Sequence, residues 1–241
     1  MPRAVCASTG LLFITLTSGF AGTVTEDFES FTAGATGSAA GWTLLTGETP
    51  VDKWSVEPSD QPPGNESALV FSSKGGANSQ ISKPFLKETG INDATQKIYY
   101  TVWVAPLFSG AEIQNIRFGL RGGSGQPVFL FGVAQGEPGA KQFHFAIGEN
   151  ISTDTFPPQH WYEVQMVIDI SGGPQSASGS LFARDITTGE AELAPLNGLQ
   201  DVPITLPKGS DPSQWSEWVI RSQFRQLIDN LSLSTDSPQN P

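Results

Sequence analysis

KIYYTVWVA (Lys97–Ala105) decides the fold. Ile98, Tyr100, Val102 and Val104 share one face, and Tyr99, Thr101 and Trp103 share the other. A period of two is the mark of an extended strand with one face buried. The alternation recurs in IQNIRFGLR (Ile113–Arg121), where Ile116, Phe118 and Leu120 oppose Asn115, Arg117 and Arg121. It recurs again in KQFHFAIGE (Lys141–Glu149), where Phe143, Phe145 and Ile147 oppose Gln142, His144 and Ala146. In WYEVQMVIDI (Trp161–Ile170), Tyr162, Val164, Met166, Ile168 and Ile170 oppose Trp161, Glu163, Gln165 and Asp169. QPVFLFGVA (Gln126–Ala134) is apolar on both faces and reads as a central strand. PFLKETGINDATQK (Pro84–Lys97) suggests a short helix or turn, and ARDITTGEA (Ala183–Ala191) a hairpin turning at Thr188-Gly189.

Roughly ten or more such strands in one chain predict an all-β fold, a two-sheet antiparallel jelly-roll β-sandwich. The chain has 241 residues, with 15 Phe and 6 Trp to fill a core, and 26 Gly and 18 Pro to make turns. That is one domain's worth of chain. The expected organisation is a signal peptide over residues 1–21, the sandwich over 22–235 and a flexible tail over 236–241. Arg3, the apolar LLFITLTSGF (Leu11–Phe20) and the small residues Gly19 and Ala21 form the leader pattern. The expected location is therefore secreted, periplasmic or at the cell surface, with no membrane span after cleavage.

Cys6, the one cysteine, falls in that leader. The mature chain would have no disulfide, thiolate metal site or cysteine nucleophile, which suits a bacterial rather than an animal secreted protein. The net charge is −11. That excludes nucleic acid as a partner, which demands a basic face, and argues against anionic membranes. It leaves calcium and neutral polysaccharide open.

The two ends carry unexpected charge. TVTEDFESF (Thr23–Phe31) places Asp27 and Glu29 on one strand face. QLIDNLSLS (Gln226–Ser234) puts Asp229 in phase with Leu227, Leu231 and Leu233. A carboxylate on an apolar row is costly unless it is paired or metal-bound. First and last strands of a jelly roll commonly lie side by side, so Asp27, Glu29 and Asp229 are expected to meet. Oxygen ligands of this kind select a structural calcium; a proton-sharing or arginine-bridged carboxylate pair is the alternative.

DFES (Asp27–Ser30), Gly41-Trp42, Trp54 and ALVFSS (Ala68–Ser73) resemble the opening of MAM-type domains. IDNLSLS (Ile228–Ser234) is similar to their closing strand, with Asn230 in place of a second acid and without the MAM cysteines. WYEVQMVIDI and GSLFARDITTGE (Gly179–Glu190) resemble laminin-G-like domains of bacterial secreted proteins. Together these imply the concanavalin A-like lectin/glucanase superfamily. The resemblance implies a two-sheet sandwich, frequent calcium and frequent glycan binding.

The polar strand faces supply the candidate ligand site. Tyr99, Trp103, Arg117, Arg121, Gln142, His144 and Glu163, with Asn115 and Gln165, are expected to share one sheet surface. Rings stack on a pyranose, and amide or guanidinium groups bond its hydroxyls. A solvated outer face with a few half-buried rings is the alternative. Concanavalin A-like glucanases carry Glu-x-Asp-x-x-Glu on one strand, and no such motif is present. Lyases of acidic polysaccharides use Arg or Gln to neutralise the uronate and His or Tyr to move the proton. Arg117, Gln142, His144 and Tyr99 are the right types, although QFH (Gln142–His144) only partly echoes a lyase strand motif. The sequence reading is thus a non-catalytic carbohydrate-binding or surface-associated module. A polysaccharide-degrading enzyme, lyase before hydrolase, is one alternative, and a structural or adhesive protein is the other.

Overall fold

In a computed structural model, the described residues are 22–47, 50–59, 69–73, 79–86, 88–107, 116–122, 125–135, 142–207, 210–222 and 226–236. The expected leader, its cysteine, most of the expected tail and Asn115 lie outside them.

Among the described residues the chain is all β apart from three single-turn 3₁₀ segments. In chain order the strands are β1 (Thr23–Glu26), β2 (Thr43–Thr46), β3 (Trp54–Pro58), β4 (Leu69–Ser73), β5 (Ser79–Pro84), β6 (Lys97–Pro106), β7 (Ile116–Arg121) and β8 (Val128–Gln135). They continue as β9 (Phe143–Ile147), β10 (Asn150–Ile151), β11 (Tyr162–Asp169), β12 (Ser178–Asp185), β13 (Ala194–Pro195), β14 (Val202–Pro203), β15 (Glu217–Ser222) and β16 (Gln226–Ser234). Residues 85–86 and 88–96 form turns and irregular chain, not a helix. The Ala183–Ala191 stretch turns as expected, with Gly189 at φ 80°.

Two antiparallel sheets form a β-sandwich. The nine-stranded sheet runs β13-β12-β11-β6-β16-β4-β3, with β1 added to β16 and β14 to β12. The seven-stranded sheet runs β10-β9-β8-β7-β15-β5-β2. The alternation read from the sequence sets the inner faces. Ile98, Tyr100, Val102, Val104, Tyr162, Val164, Met166 and Ile168 come from one sheet; Ile116, Phe118, Leu120, Phe143 and Phe145 come from the other. At one edge Phe28, Trp42 and Trp54 each stack on Phe71 at 5.1 Å between ring centroids. A fully buried aromatic at the hub of three others is the point where truncation leaves the largest void.

The first and last strands do pair: Thr23–Glu26 lie against Ser234–Leu231. The parity of the last strand is not the expected one. Its register against β6 shifts between Asp229 and Ser232, and Asn230 has φ 48°. A bulge adds one residue and turns every later side chain to the other face. Ile228 faces the core opposite Val104, whereas Asp229 faces outward opposite Trp103. Leu227 also faces outward, in a small cluster with Ala105, Trp161, Trp103 and Ile186. Leu231 and Leu233 return to the core.

The first strand ends sooner than expected as well. Glu26 is its last residue, and Phe28 takes φ 59°. Asp27 and Glu29 are therefore exposed turn residues, and Glu29 N–H donates to Asp27 Oδ1 at 3.2 Å. The carboxylate that strand β1 buries is Glu26, ion-paired to Lys83 of β5. The Lys83 ammonium also lies 4.6 Å from the Phe31 ring centroid.

Candidate functional site

Of the terminal carboxylates expected to meet, Asp229 is the one that the structure buries. Its side chain is buried, and one oxygen accepts from the Asn230 N–H at 2.8 Å. Burial pushes its pKa up to about 7, against that backbone hydrogen bond, and the charges of Glu29, Asp27 and Glu26 push the same way. Hard oxygen donors are thus gathered at this corner. Among the described residues, however, no three acids or histidines are close enough together to hold an ion by themselves.

The candidate ligand residues do not share a surface. Tyr99, Trp103, Glu163 and Gln165 are on the outer face of the nine-stranded sheet; Arg117, Arg121 and His144 are on the outer face of the seven-stranded sheet. Gln142 is an exposed residue just before β9. The single-surface expectation is therefore corrected to two faces. Strand parity gives each strand's inside and outside, but nothing in it says to which sheet a strand belongs.

On the seven-stranded sheet one row of outward positions runs Gln80, Arg221, Arg117, Gly132, Ala146 across five strands. Arg117 and Arg221 are directly opposite each other. Burial, and then the charge of Arg221, lower the pKa of Arg117. Like charges placed opposite on a sheet are destabilising. Gly132 lets the Arg117 chain lie flat: a Cβ there would meet Ile116 O at 2.0 Å and Arg117 Cδ at 2.9 Å. Across that gap Arg117 Nη1 donates to Gly148 O at 3.0 Å. Farther along the face, Arg121 donates to Glu217 Oε2 from Nε at 3.0 Å and Nη2 at 2.5 Å.

His144 stands on the same face, two strands from Arg117, or about 10 Å at ordinary strand spacing. Its Nδ1 is 2.9 Å from the carbonyl of Asp154. A carbonyl only accepts, so Nδ1 carries a proton and Nε2 of the neutral ring keeps its lone pair. The 152–154 turn that supplies this carbonyl is pinned. Asp154 Oδ2 accepts from Asn197 N–H at 2.7 Å and Oδ1 from Asn197 Nδ2 at 2.7 Å. Burial would raise the Asp154 pKa, but the Asn197 and Ser152 hydrogen bonds outweigh it and hold it low.

On the nine-stranded sheet, row Arg184, Glu163, Trp103, Asp229 lies beside row Phe182, Gln165, Thr101, Ser232. Arg184 donates to Glu163 Oε2 at 2.7 Å from Nε. Gln165 Nε2 lies 3.4 Å from the Thr101 hydroxyl. Phe182 and Arg184 were missed in the sequence because they sit in a strand that was read only as half of a hairpin.

His160, just before β11, has no sequence signal that marks it. Its Nδ1 is 2.6 Å from Asp185 Oδ2, and its ring stacks on Tyr162. Thr188 N–H donates to the other Asp185 oxygen at 3.1 Å. The pair closes the β11–β12 hairpin, and its members are 25 residues apart, too far for spacing to reveal. A cleft of about 720 Å³ lies elsewhere, between Phe85, Leu86 and Glu88–Asn92 on one side and Ser213–Ser216 on the other. It contains none of the candidate residues.

No protein-family model and no curated protein matches the chain. Solved structures are similar in fold. The catalytic domain of a family 131 β-glucanase from Podospora anserina has 13% identity and a TM-score of 0.48, covering 82% of this chain and 87% of that one. The catalytic domain of a family 131 glycoside hydrolase from Coprinopsis cinerea has 11% identity and a TM-score of 0.48, covering 82% and 84%. A Trypanosoma rangeli sialidase has 11% identity and a TM-score of 0.46 over 91% of this chain, which spans only 31% of the sialidase. The expectation of a non-catalytic module is corrected by these neighbours, which are a sialidase and the catalytic domains of a β-glucanase and a glycoside hydrolase. At such identities the likeness is one of fold.

Proposed function

We propose that the chain is a polysaccharide-degrading enzyme whose working surface is the outer face of the seven-stranded sheet, and that it cleaves uronate-containing chains by elimination. The observation that carries this reading is the opposed pair Arg117 and Arg221, flanked by Gln80, on the face that also carries His144, whose Nδ1 is held by the Asp154 carbonyl. In such a reaction the base takes the proton on the carbon next to the uronate carboxylate. The charge that develops on that carboxylate is stabilised by the arginines and the amide. The electron pair then forms a carbon–carbon double bond as the glycosidic oxygen leaves. That oxygen takes a proton from the imidazolium or from water.

Hydrolysis is supported less well. It needs two available carboxylates on one face, whereas Glu163 and Glu217 stand on opposite sheets, each held by an arginine. The chain's net charge of −11 would repel a polyanion, but this row is locally basic. The test is incubation of the protein with acidic and neutral polysaccharides. Ultraviolet absorbance of unsaturated ends and release of reducing ends are both followed. Unsaturated ends lost in Arg117→Ala and His144→Ala support the reading. Reducing ends without unsaturation would make it a hydrolase, and no product from any polymer would end the enzyme reading.

A structural calcium tying the chain ends is proposed on the buried charge of Asp229. Asp229, Asp27 and Glu29 would be its carboxylate ligands, with backbone carbonyls and water completing the shell. The signal-peptide pattern supports action outside the cytoplasm, and the MAM-like and laminin-G-like motifs support a place near those domains within the fold class.

A further inference from the structure

We propose that the outer face of the nine-stranded sheet is a second glycan-holding surface, one that takes uncharged polysaccharide chains, opposite the arginine row. Three half-buried rings carry it. Tyr99 and Trp103 project from the same side of β6, four residues apart, or about 13 Å along a strand. Phe182 projects from β12, two strands away, with β11 between. The centre of the platform is Gln165 and Thr101, both largely covered and within 3.4 Å of each other.

This arrangement is rigid and flat. Trp103 is braced from behind by Ala105 and Trp161, and all three rings stand on the middle strands of a sheet. A ring held in place loses little freedom on binding, which favours stacking against the C–H face of a sugar. The charge pattern selects among occupants. The acids and bases of this face oppose one another: Glu163 pairs with Arg184 at 2.6 Å, and Asp169 lies opposite Lys97. The next outward residue beyond Trp103 is the buried Asp229, beside Glu29 and Asp27. A face with no surplus cation and an acidic border repels a polyanion and accepts a neutral chain. The two outer faces would then hold different parts of a mixed polymer, or an uncharged matrix beside an acidic substrate.

Affinity electrophoresis of the full chain through gels containing soluble β-glucan, xyloglucan or galactomannan tests this, with polygalacturonate and alginate as acidic comparators. Retardation by at least one neutral polymer is expected. Tyr99→Ala and Phe182→Ala should each weaken it about tenfold, and Arg117→Ala should leave it unchanged. If Trp103→Ala fails to fold, the Tyr99→Ala, Phe182→Ala double variant decides the matter. No retardation by any neutral polymer, or retardation that survives the double variant, would overturn the proposal. So would a concentration-dependent dimer abolished by these variants, since a second copy would then cover the face. Elimination activity is read separately, so either proposal can fail while the other stands.

Discussion

The two outer faces of the sandwich are built from the same kinds of strand and end with opposite character. Each carries one internally satisfied pair, Arg121 with Glu217 on one side and Arg184 with Glu163 on the other. What remains differs. The seven-stranded face keeps two opposed arginines beside a glycine and an alanine. The nine-stranded face keeps three rings and one buried carboxylate that faces other carboxylates. Local alternation makes a face polar. The residues set around those pairs decide what that face can hold.

The largest effect that would break this contrast is on activity. Replacing both Arg117 and Arg221 with alanine should lower elimination about 10²–10³-fold, and His144→Ala about 10²–10⁴-fold. The initial rate of unsaturated-end formation measures both. Tyr99→Ala and Trp103→Ala should leave that rate on a short acidic oligosaccharide within about twofold.

Next comes stability at the paired chain ends, where two buried carboxylates differ in having a cation. Lys83→Met strands Glu26 in the core and should cost about 3–5 kcal/mol in urea unfolding. Asp229→Asn removes a buried carboxylate that makes no ion pair among the described residues. In chelator at alkaline pH it should raise stability by about 1–3 kcal/mol. A loss instead would show that Asp229 already has a positive partner.

The pH dependence sharpens the point. The folded-state pKa of Asp229, about 7, lies above its ordinary value of 3.8. The folded chain thus binds this proton more tightly than the unfolded chain. The stability from this group is fully present below 3.8 and is lost as pH rises to about 7. Thermal melts in chelator should drop across that window. Calcium should restore the loss at high pH in the wild type and not in Asp229→Asn; a melt indifferent to calcium would remove the metal from this corner. The smallest expected effects are those of Glu163→Gln and Glu217→Gln. Each breaks a part-exposed pair and should cost no more than about 1 kcal/mol.

Much of this molecule could be read from one dimension. Ile98, Tyr100, Val102 and Val104 face the core because side chains alternate along a strand. That rule needs no partner and holds wherever the strand goes. It placed the inner faces of β6, β7, β9 and β11, and it marked Arg117, His144, Glu163 and Trp103 as outward. It also suggested that the ends of the chain meet. Three things lay beyond it. Asn230 occupies a bulge that no residue type announces, and it turns Leu231 and Leu233 to the core while Asp229 stays on the other face. Glu26 finds Lys83, 57 residues away, which is chemistry of contact and not of spacing. Tyr99 and His144 were expected on one surface and belong to different sheets.

The sequence by itself determined that the chain is a sandwich of half-buried strands, and which side of most of them is wet. Only the tertiary structure decided how the wet sides are grouped. Periodicity is a property of a single strand, but sheet membership, register and ion pairing are set by which strands are neighbours. That is chosen by the packing of the whole core.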